Sequence, residues 1–445
     1  MATPSSYSRH AEWSKGRYNE LILNYRGHRI PSIPITLYNP VFAKFKDRTI
    51  SIKVTTEDCV AVAELLNDMS EAYNVEYLRN QKFCQWATHY LGRPVNKLAL
   101  PQQSQEADIG ILYVKEEMQY ALLIGEAKNE IGEGSGCPYM QASASYAKFV
   151  GVNPEARLRY HLNPVFLIYF AGPVLGIGGA VFGHTFIAQP LTHWFNLLPL
   201  TFDNNTLIDV ARAFRALKNS LKDLQEYYDN LEQPTIADIH LQQPRPESYP
   251  YPSFFVDSDG AEIAFKYQRQ LVKNKLLFLV TDTYNDQQYY VVKFVKKYGV
   301  DAHHYCASKS IAPKLIAVQK LHDSWNMIVM EYLPQDKFTC VYNALKNNSN
   351  HDCNDWYEKA KEVVSQMHEE NFVHGDLRVS NLMVSKENKI LIVDFDWANK
   401  EGYATYPYFM NRAEELNWHN DVQDGGIIRK EHDVYFLKKS FDNIF

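Results

Sequence analysis

His374-Gly375-Asp376-Leu377-Arg378-Val379-Ser380-Asn381 and, thirteen residues after Asn381, Asp394 within Val393-Asp394-Phe395-Asp396-Trp397-Ala398 decide the reading of this 445-residue chain. A carboxylate, an amide and a second carboxylate stand at fixed spacing. Between them, Leu382-Met383-Val384 and Ile390-Leu391-Ile392-Val393 are strand-like runs around the polar turn Lys386-Glu387-Asn388. A hairpin there brings Asn381 and Asp394 together. Their oxygens suit a divalent cation such as Mg²⁺, with room for water. Asp376 is then placed to take a proton from an attacking hydroxyl.

Upstream segments fit the same chemistry. Tyr289–Val295 is a strand carrying Lys293 in Val-Val-Lys-Phe, suited to the α/β-phosphates of a nucleotide. Met327-Ile328-Val329-Met330-Glu331-Tyr332-Leu333 reads as the strand leading into a nucleotide hinge. The order of parts has the form H-x-D-x-x-x-x-N, hairpin, D-F-x of phosphoryl-transfer enzymes. The section from Phe254 to Phe445 resembles the protein-kinase-like superfamily, specifically the fungal-type protein kinase family. Asp394-Phe395-Asp396-Trp397-Ala398, Tyr406-Pro407 and Glu431-His432-Asp433 are further landmarks of that resemblance. It implies a compact two-lobed protein-kinase-like domain that uses ATP and Mg²⁺ on a protein Ser/Thr hydroxyl. Asp376 would be the catalytic base, Lys293, Glu331, Asn381 and Asp394 the cofactor-binding residues, and Asn381 and Asp394 the metal ligands.

The chain departs from that pattern in three places. No glycine lies between Gly260 and Gly299, so the Gly-rich loop that covers phosphates is missing. The segment after Lys293 offers Asp301 as an ion-pair partner but no glutamate, and Asp301 reads equally as a surface helix-start residue. The segment after Asp394 is short for a large C-terminal lobe. Within it, Asp433 either braces the catalytic loop or is a plain surface acid.

A second constellation lies upstream. Strands are expected over Asp108–Val114 and Tyr120–Lys128, followed by a helix over Pro138–Phe149. Residues i and i+2 of a strand share a face, so Glu126 and Lys128 project together, and a hairpin sets Asp108 beside Glu126. Two carboxylates hold Mg²⁺, and a lysine orients the attacking water or steadies charge on a phosphate. The element order helix, strand, strand, helix, strand resembles the PD-(D/E)xK restriction-endonuclease-like fold. That resemblance makes Asp108, Glu126 and Lys128 catalytic, with Asp108 and Glu126 as metal ligands and DNA as substrate. Gln141 and Tyr146 resemble a helix motif of such nucleases at a spacing one residue too long. Glu76 is either an extra helix carboxylate or a solvated surface residue.

The expected architecture is α/β and α+β. It comprises a basic segment 1–50, a nuclease-like α/β domain 51–203, an amphipathic helix with a Pro-rich linker 204–252, and the kinase-like domain 253–445. The linker reading rests on five prolines in Gln233–Pro252. Residues 1–50 carry 8 Arg/Lys and 3 Asp/Glu, net +5, so the remainder of this net −6 chain carries −11. The basic segment reads either as a phosphate-facing surface or as a solvated arm, and the overall charge excludes a uniformly basic nucleic-acid coat. The pattern over Thr56–Leu91 reads as helical. The stretch between Arg159 and Asp203 has no charged residue, but glycines and prolines interrupt it. It reads as two buried strands, Pro164–Ala171 and Ala180–Leu191, joined by a Gly-rich turn, rather than as a membrane span. The six cysteines form no metal-ligand pattern and suit a reducing compartment; no signal peptide is evident. Localisation in nucleus or cytoplasm follows as the expectation, with oligomeric state open.

A nuclease-like module before this kinase resembles the C-terminal modules of Crinkler-type effectors. The alternative from another class is a pseudokinase with a degenerate nuclease fold, acting as a nucleotide- or nucleic-acid-binding scaffold.

Overall fold

The computed structural model describes residues 21–24, 32–100, 106–116, 118–133, 136–151, 161–199, 204–232, 249–273, 275–347, 353–413 and 416–442. Most of the basic segment and of the expected Pro-rich linker lies outside the described residues. The chain divides into two compact units, Met1–Pro252 and Ser253–Phe445.

The first unit runs β1 (Leu21–Leu23), α1 (Ile35–Tyr38), α2 (Pro40–Ser51), α3 (Thr56–Ser70), α4 (Glu76–Leu91), β2 (Asn96–Ala99), β3 (Glu106–Lys115), β4 (Met118–Lys128), α5 (Pro138–Gly151), β5 (Val165–Ala171), β6 (Val174–Phe182), β7 (Phe186–Pro190), β8 (Phe195–Asn196) and α6 (Asn204–Asp229). The sheet order is β1-β7-β6-β5-β4-β3-β2, with β8 on β6. β3 and β4 form an antiparallel hairpin. β4 and β5 are parallel, and α5 supplies the crossover that a parallel pair requires.

Three sequence readings are refined here. Residues 56–91, read as helical in pattern, break between Ser70 and Glu76 into two helices. The buried Arg79 donates to the carbonyls of Met69 (2.5 Å) and Glu71 (2.7 Å), which satisfies the end of α3 from within α4. The glycines expected in a turn lie inside β6, and the turn falls at Gly172-Pro173 instead. A Cβ on Gly176 would stand 2.3 Å from the Tyr169 ring, and one on Gly179 2.5 Å from Phe42, so the strand needs bare backbone where aromatic rings cross it. Residues 32–51, most of which belong to the segment read as basic, carry α1 and α2; Asn39 accepts the Val41 N–H at 2.9 Å and Pro40 opens α2.

Helix α6 packs within the first unit rather than standing apart. Its buried face includes Val210, Phe214, Leu217, Leu221, Leu224 and Tyr228. Phe214 meets Trp86 edge-on at 4.7 Å, Arg48 of α2 pairs with Asp223 at 2.7 Å, and Lys115 donates to the Asp229 carbonyl at 2.8 Å. Helices α2 and α6 thus pack into the same core.

The second unit opens with β9 (Phe254–Val256), β10 (Glu262–Gln270), β11 (Leu277–Asp282) and β12 (Tyr289–Val295). It continues through α7 (Val300–Ser308), β13 (Leu315–Lys320) and β14 (Asn326–Glu331). These strands form one sheet in the order β13-β14-β12-β11-β10-β9. After it come β15 (Phe338–Cys340), α8 (Val341–Asn347), α9 (Cys353–Glu369), β16 (Phe372–Val373), β17 (Leu382–Ser385), β18 (Ile390–Ile392), β19 (Asn399–Lys400) and α10 (Lys430–Asp442). The β17–β18 hairpin pairs Leu382 with Ile392 and Val384 with Ile390. Its inner face joins Trp356, Val364, Met367 and Leu437 in one apolar cluster. No helix among the described residues is long and apolar enough to cross a membrane, and the described part of the uncharged stretch, 161–199, carries β5 to β8.

Candidate active site

In the second unit, the loop after β16 is fixed from behind. Asp433 of α10 is fully buried, and its carboxylate accepts the His374 N–H and the Gly375 N–H, each at 2.8 Å. His368 Nε2 adds a third contact at 3.1 Å. His374 Nδ1 accepts the Asp376 N–H at 3.2 Å, which leaves the proton on Nε2 to meet the Val393 carbonyl at 3.1 Å. One imidazole therefore ties the loop to the residue before Asp394. Of the two readings of Asp433, the bracing one describes its geometry.

Asn381 closes the 3-10 turn Val379–Asn381 and donates to the Asp376 carbonyl at 2.8 Å and carboxylate at 2.9 Å. Arg378 Nε stands 2.9 Å from Asp376 Oδ1, while its guanidinium lies over Trp418 at 4.7 Å. Burial raises the Asp376 pKa against the pull of Arg378. Asp394 adopts φ +72°, a left-handed conformation that costs about 1–3 kcal/mol and concentrates at functional sites. Phe395 is fully buried between His303 of α7, stacked at 4.6 Å, and His374 at 5.5 Å.

Lys293 is 5 % exposed, and its ammonium pairs with Asp394 at 2.5 Å and with Asp396. Lys275, in the β10–β11 connection, also pairs with Asp394. Burial would raise the Asp394 pKa, but the two ammonium groups outweigh it and hold the carboxyl well below its ordinary range. Asp396 is pushed up to about 6 by burial and by Asp394 beside it. Asp301 is exposed at the start of α7 and takes no part in this cluster, so Asp394 and Asp396 are the partners of Lys293.

Lys275, Lys293, Glu331, Asn381 and Asp394 line one cleft, whose other walls include Val291, Met330 and Leu333. Glu331 belongs to this lining, but its carboxylate accepts the Lys314 N–H at 3.0 Å. The structure thus gathers Lys293, Asp376, Asn381 and Asp394 and turns the Glu331 side chain onto the Lys314 backbone just before β13. Sequence reasoning missed Lys275 and Asp396. The signal for Lys275 was a lysine in the connection that lacks glycine.

In the first unit, Asp108, Glu126, Lys128 and Glu76 come together. Asp108 Oδ2 accepts the Ala127 N–H at 3.0 Å, and Asn80 of α4 holds the Asp108 carbonyl at 3.0 Å. Glu126 is 1 % exposed and accepts the Ser145 hydroxyl of α5 at 2.6 Å. Lys128 pairs with Glu76 at 3.3 Å. Burial first, then the neighbouring Asp108 carboxylate, raises the Glu126 pKa far above the usual range. A buried acid of raised pKa beside a second carboxylate forms a set in which a divalent cation can replace the Glu126 proton. Burial also raises Glu76, against Lys128.

The helix motif read at Gln141 and Tyr146 does not meet these acids. Tyr146 donates to the Asn163 carbonyl at 3.0 Å and is buried in the core. A single residue turns a helix position by roughly 100°, and that turn brings Ser145 to Glu126 instead.

Residues 283–413 match the protein kinase domain family, and the C-terminal part of the chain is a protein kinase-like domain. A solved structure described as the Cydia pomonella Granulovirus kinase, PK-1, is similar at 14 % identity with TM-score 0.32, over 40 % of this chain and 67 % of that one. No curated protein matches. The kinase match falls wholly within the second unit.

Proposed function

We propose that the chain is a two-module enzyme, with a Mg-ATP-dependent protein kinase in the second unit and a Mg²⁺-dependent DNA endonuclease in the first. The observation that carries the kinase reading is the convergence of Lys293, Asp376, Asn381 and Asp394 behind a loop braced by Asp433. Asn381 and Asp394 would hold Mg²⁺, which supplies charge neutralisation at the transferred phosphate. Lys293 and Lys275 bind phosphate oxygens, Lys275 taking the place of backbone donors from a Gly-rich loop. Asp376 orients a Ser/Thr hydroxyl and accepts its proton; the Arg378 and Asn381 contacts fix the carboxylate in place. The lining of the cleft by Val291, Met330 and Leu333 suits a purine base.

In the first unit, Asp108 and Glu126 would hold the metal and Lys128 would steady the attacked phosphate. The acid pair and the order helix, strand, strand, helix, strand support this reading. The arrangement of both modules supports a Crinkler-type effector acting in nucleus or cytoplasm, as does a cysteine pattern suited to a reducing compartment.

The ion pairs of Lys275 and Lys293 on Asp394 favour a second reading, in which the unit binds nucleotide as a regulatory scaffold without transfer. Thermal unfolding with ATP, with and without Mg²⁺, bears on both readings. A Mg²⁺-dependent rise lost in Asp394→Ala supports the metal ligands, and an unchanged shift in that variant removes Asp394 from the site. For the first unit, plasmid DNA is incubated with Mg²⁺ and wild type, Glu126→Ala or Lys128→Ala. Cleavage by wild type alone supports the nuclease. Cleavage by all three forms, or by none, refutes the assigned site.

A further inference from the structure

We propose that His419, Asp421 and His432 form a site for one divalent transition-metal ion of the zinc class, which staples the segment around residues 418–422 to α10. One ligand atom from each residue lies within 4.8 Å of the others. His432 carries the strongest independent sign. It is 1 % exposed, its Nδ1 lies 3.1 Å from Tyr406 Oη and 3.3 Å from the Arg429 N–H, and its Nε2 is buried with no hydrogen-bond partner. A buried imidazole nitrogen without a protein partner is rare and is met by a water or an ion. His432 Nδ1 accepts the Arg429 N–H at 3.3 Å; ligation through Nε2 takes the other tautomer, in which Nδ1 gives up that contact and donates its proton to Tyr406 Oη at 3.1 Å.

His419 lies 5.2 Å from the His432 ring, with its Nδ1 3.9 Å from Asp421 Oδ2 and 3.3 Å from the Asp421 N–H. Two imidazoles and a carboxylate are the ligand class of zinc, with the fourth position left to water. Tetrahedral bonds of about 2.1 Å place ligands roughly 3.4 Å apart, so rotation of the His419 and Asp421 side chains, both on a loop, closes the site. Two nitrogen ligands disfavour Mg²⁺, which separates this site from the two acid clusters.

The consequence reaches the catalytic loop through Trp418. That ring neighbours His419 in sequence, carries the Arg378 guanidinium at 4.7 Å and packs on Phe436 of α10 at 4.9 Å. A bound ion fixes this platform and, through Arg378, orients Asp376. This consequence rests on the kinase reading; the metal site does not.

The test uses the full chain, stripped by chelator and titrated with Zn²⁺ and with Co²⁺ in excess Mg²⁺. Wild type is compared with Asp421→Asn and His419→Gln, each first shown to unfold at the wild-type temperature in chelator. Wild type is expected to bind one more ion than either variant, to give a Co²⁺ visible spectrum of imidazole ligation that the variants lack, and to gain several degrees of thermal stability with Zn²⁺. Equal stoichiometry and equal Zn²⁺ shifts in all three proteins overturn the proposal. Should His419→Gln fail to fold, Asp421→Asn, at an exposed position, decides the outcome alone. Loss of phosphoryl transfer with the Co²⁺ spectrum intact would count against the kinase reading and not against the metal site.

Discussion

Replacing Asp433 with alanine should loosen the catalytic loop without touching any ligand of the cleft. The carboxylate is fully buried and accepts two backbone N–H groups, His374 and Gly375, at 2.8 Å each. Removal orphans both donors in an interior where each unsatisfied donor costs about 1–3 kcal/mol, so a loss of about 3 kcal/mol is expected. Asparagine should rescue little, because its amide nitrogen would face one N–H donor while its oxygen meets the other. At about 1.4 kcal/mol per factor of ten, local opening of the loop should rise roughly 100-fold. Hydrogen exchange over peptides spanning 372–382 reads this directly, with urea unfolding as the global measure. Asp424→Ala, at an exposed salt bridge to Arg412, should stay within about 0.5 kcal/mol of wild type. Exchange rates within threefold of wild type in Asp433→Ala would refute the bracing argument.

Mg²⁺ binding to the first unit should release a proton, because Glu126 has a raised pKa and must ionise to ligate. Affinity should therefore climb as pH rises toward that pKa, and calorimetry in buffers of different ionisation enthalpy measures the proton; buffer-independent heats would contradict it. The same shift has a stability counterpart in the metal-free protein. A carboxyl whose folded pKa is raised lends stability that is fully present below its unfolded value and is lost as pH climbs through the folded one, a trend Glu126→Gln should abolish in pH-dependent unfolding. Lys275→Met should weaken ATP binding about tenfold by removing one ammonium from the phosphate site, as read by calorimetry. Phe214→Ala should cost about 3–5 kcal/mol in the first unit, since the ring is fully buried against Trp86, and urea unfolding followed by Trp86 fluorescence reports it.

The parts legible in the sequence were those whose chemistry is local. The strand around Lys293, the hairpin between Asn381 and Asp394, and the strands carrying Asp108 and Glu126 follow from periodicity and turn residues. What escaped depends on partners distant in sequence. Arg79 ends α3 by reaching back across a helix break that apolar spacing does not reveal. The glycines of β6 look like a turn until the rings of Tyr169 and Phe42 are known to cross them. Ser145 rather than Tyr146 meets Glu126 because one helical step decides the direction of each side chain. Lys275 reaches Asp394 only once β10 and β11 are paired. The role of α6 was hidden because amphipathicity shows that a helix packs, not where.

The central claim is that Asp376 takes the proton of an attacking hydroxyl. Purified full chain is incubated with γ-radiolabelled ATP, Mg²⁺ and a Ser/Thr-containing protein acceptor, beside Asp376→Asn. Wild type should transfer label, and Asp376→Asn should lose at least about 100-fold of that rate, within the range for removal of a general base, while keeping the Mg²⁺-dependent thermal shift with ATP. Label transfer by Asp376→Asn at the wild-type rate, or none by wild type with the thermal shift present, would contradict the account.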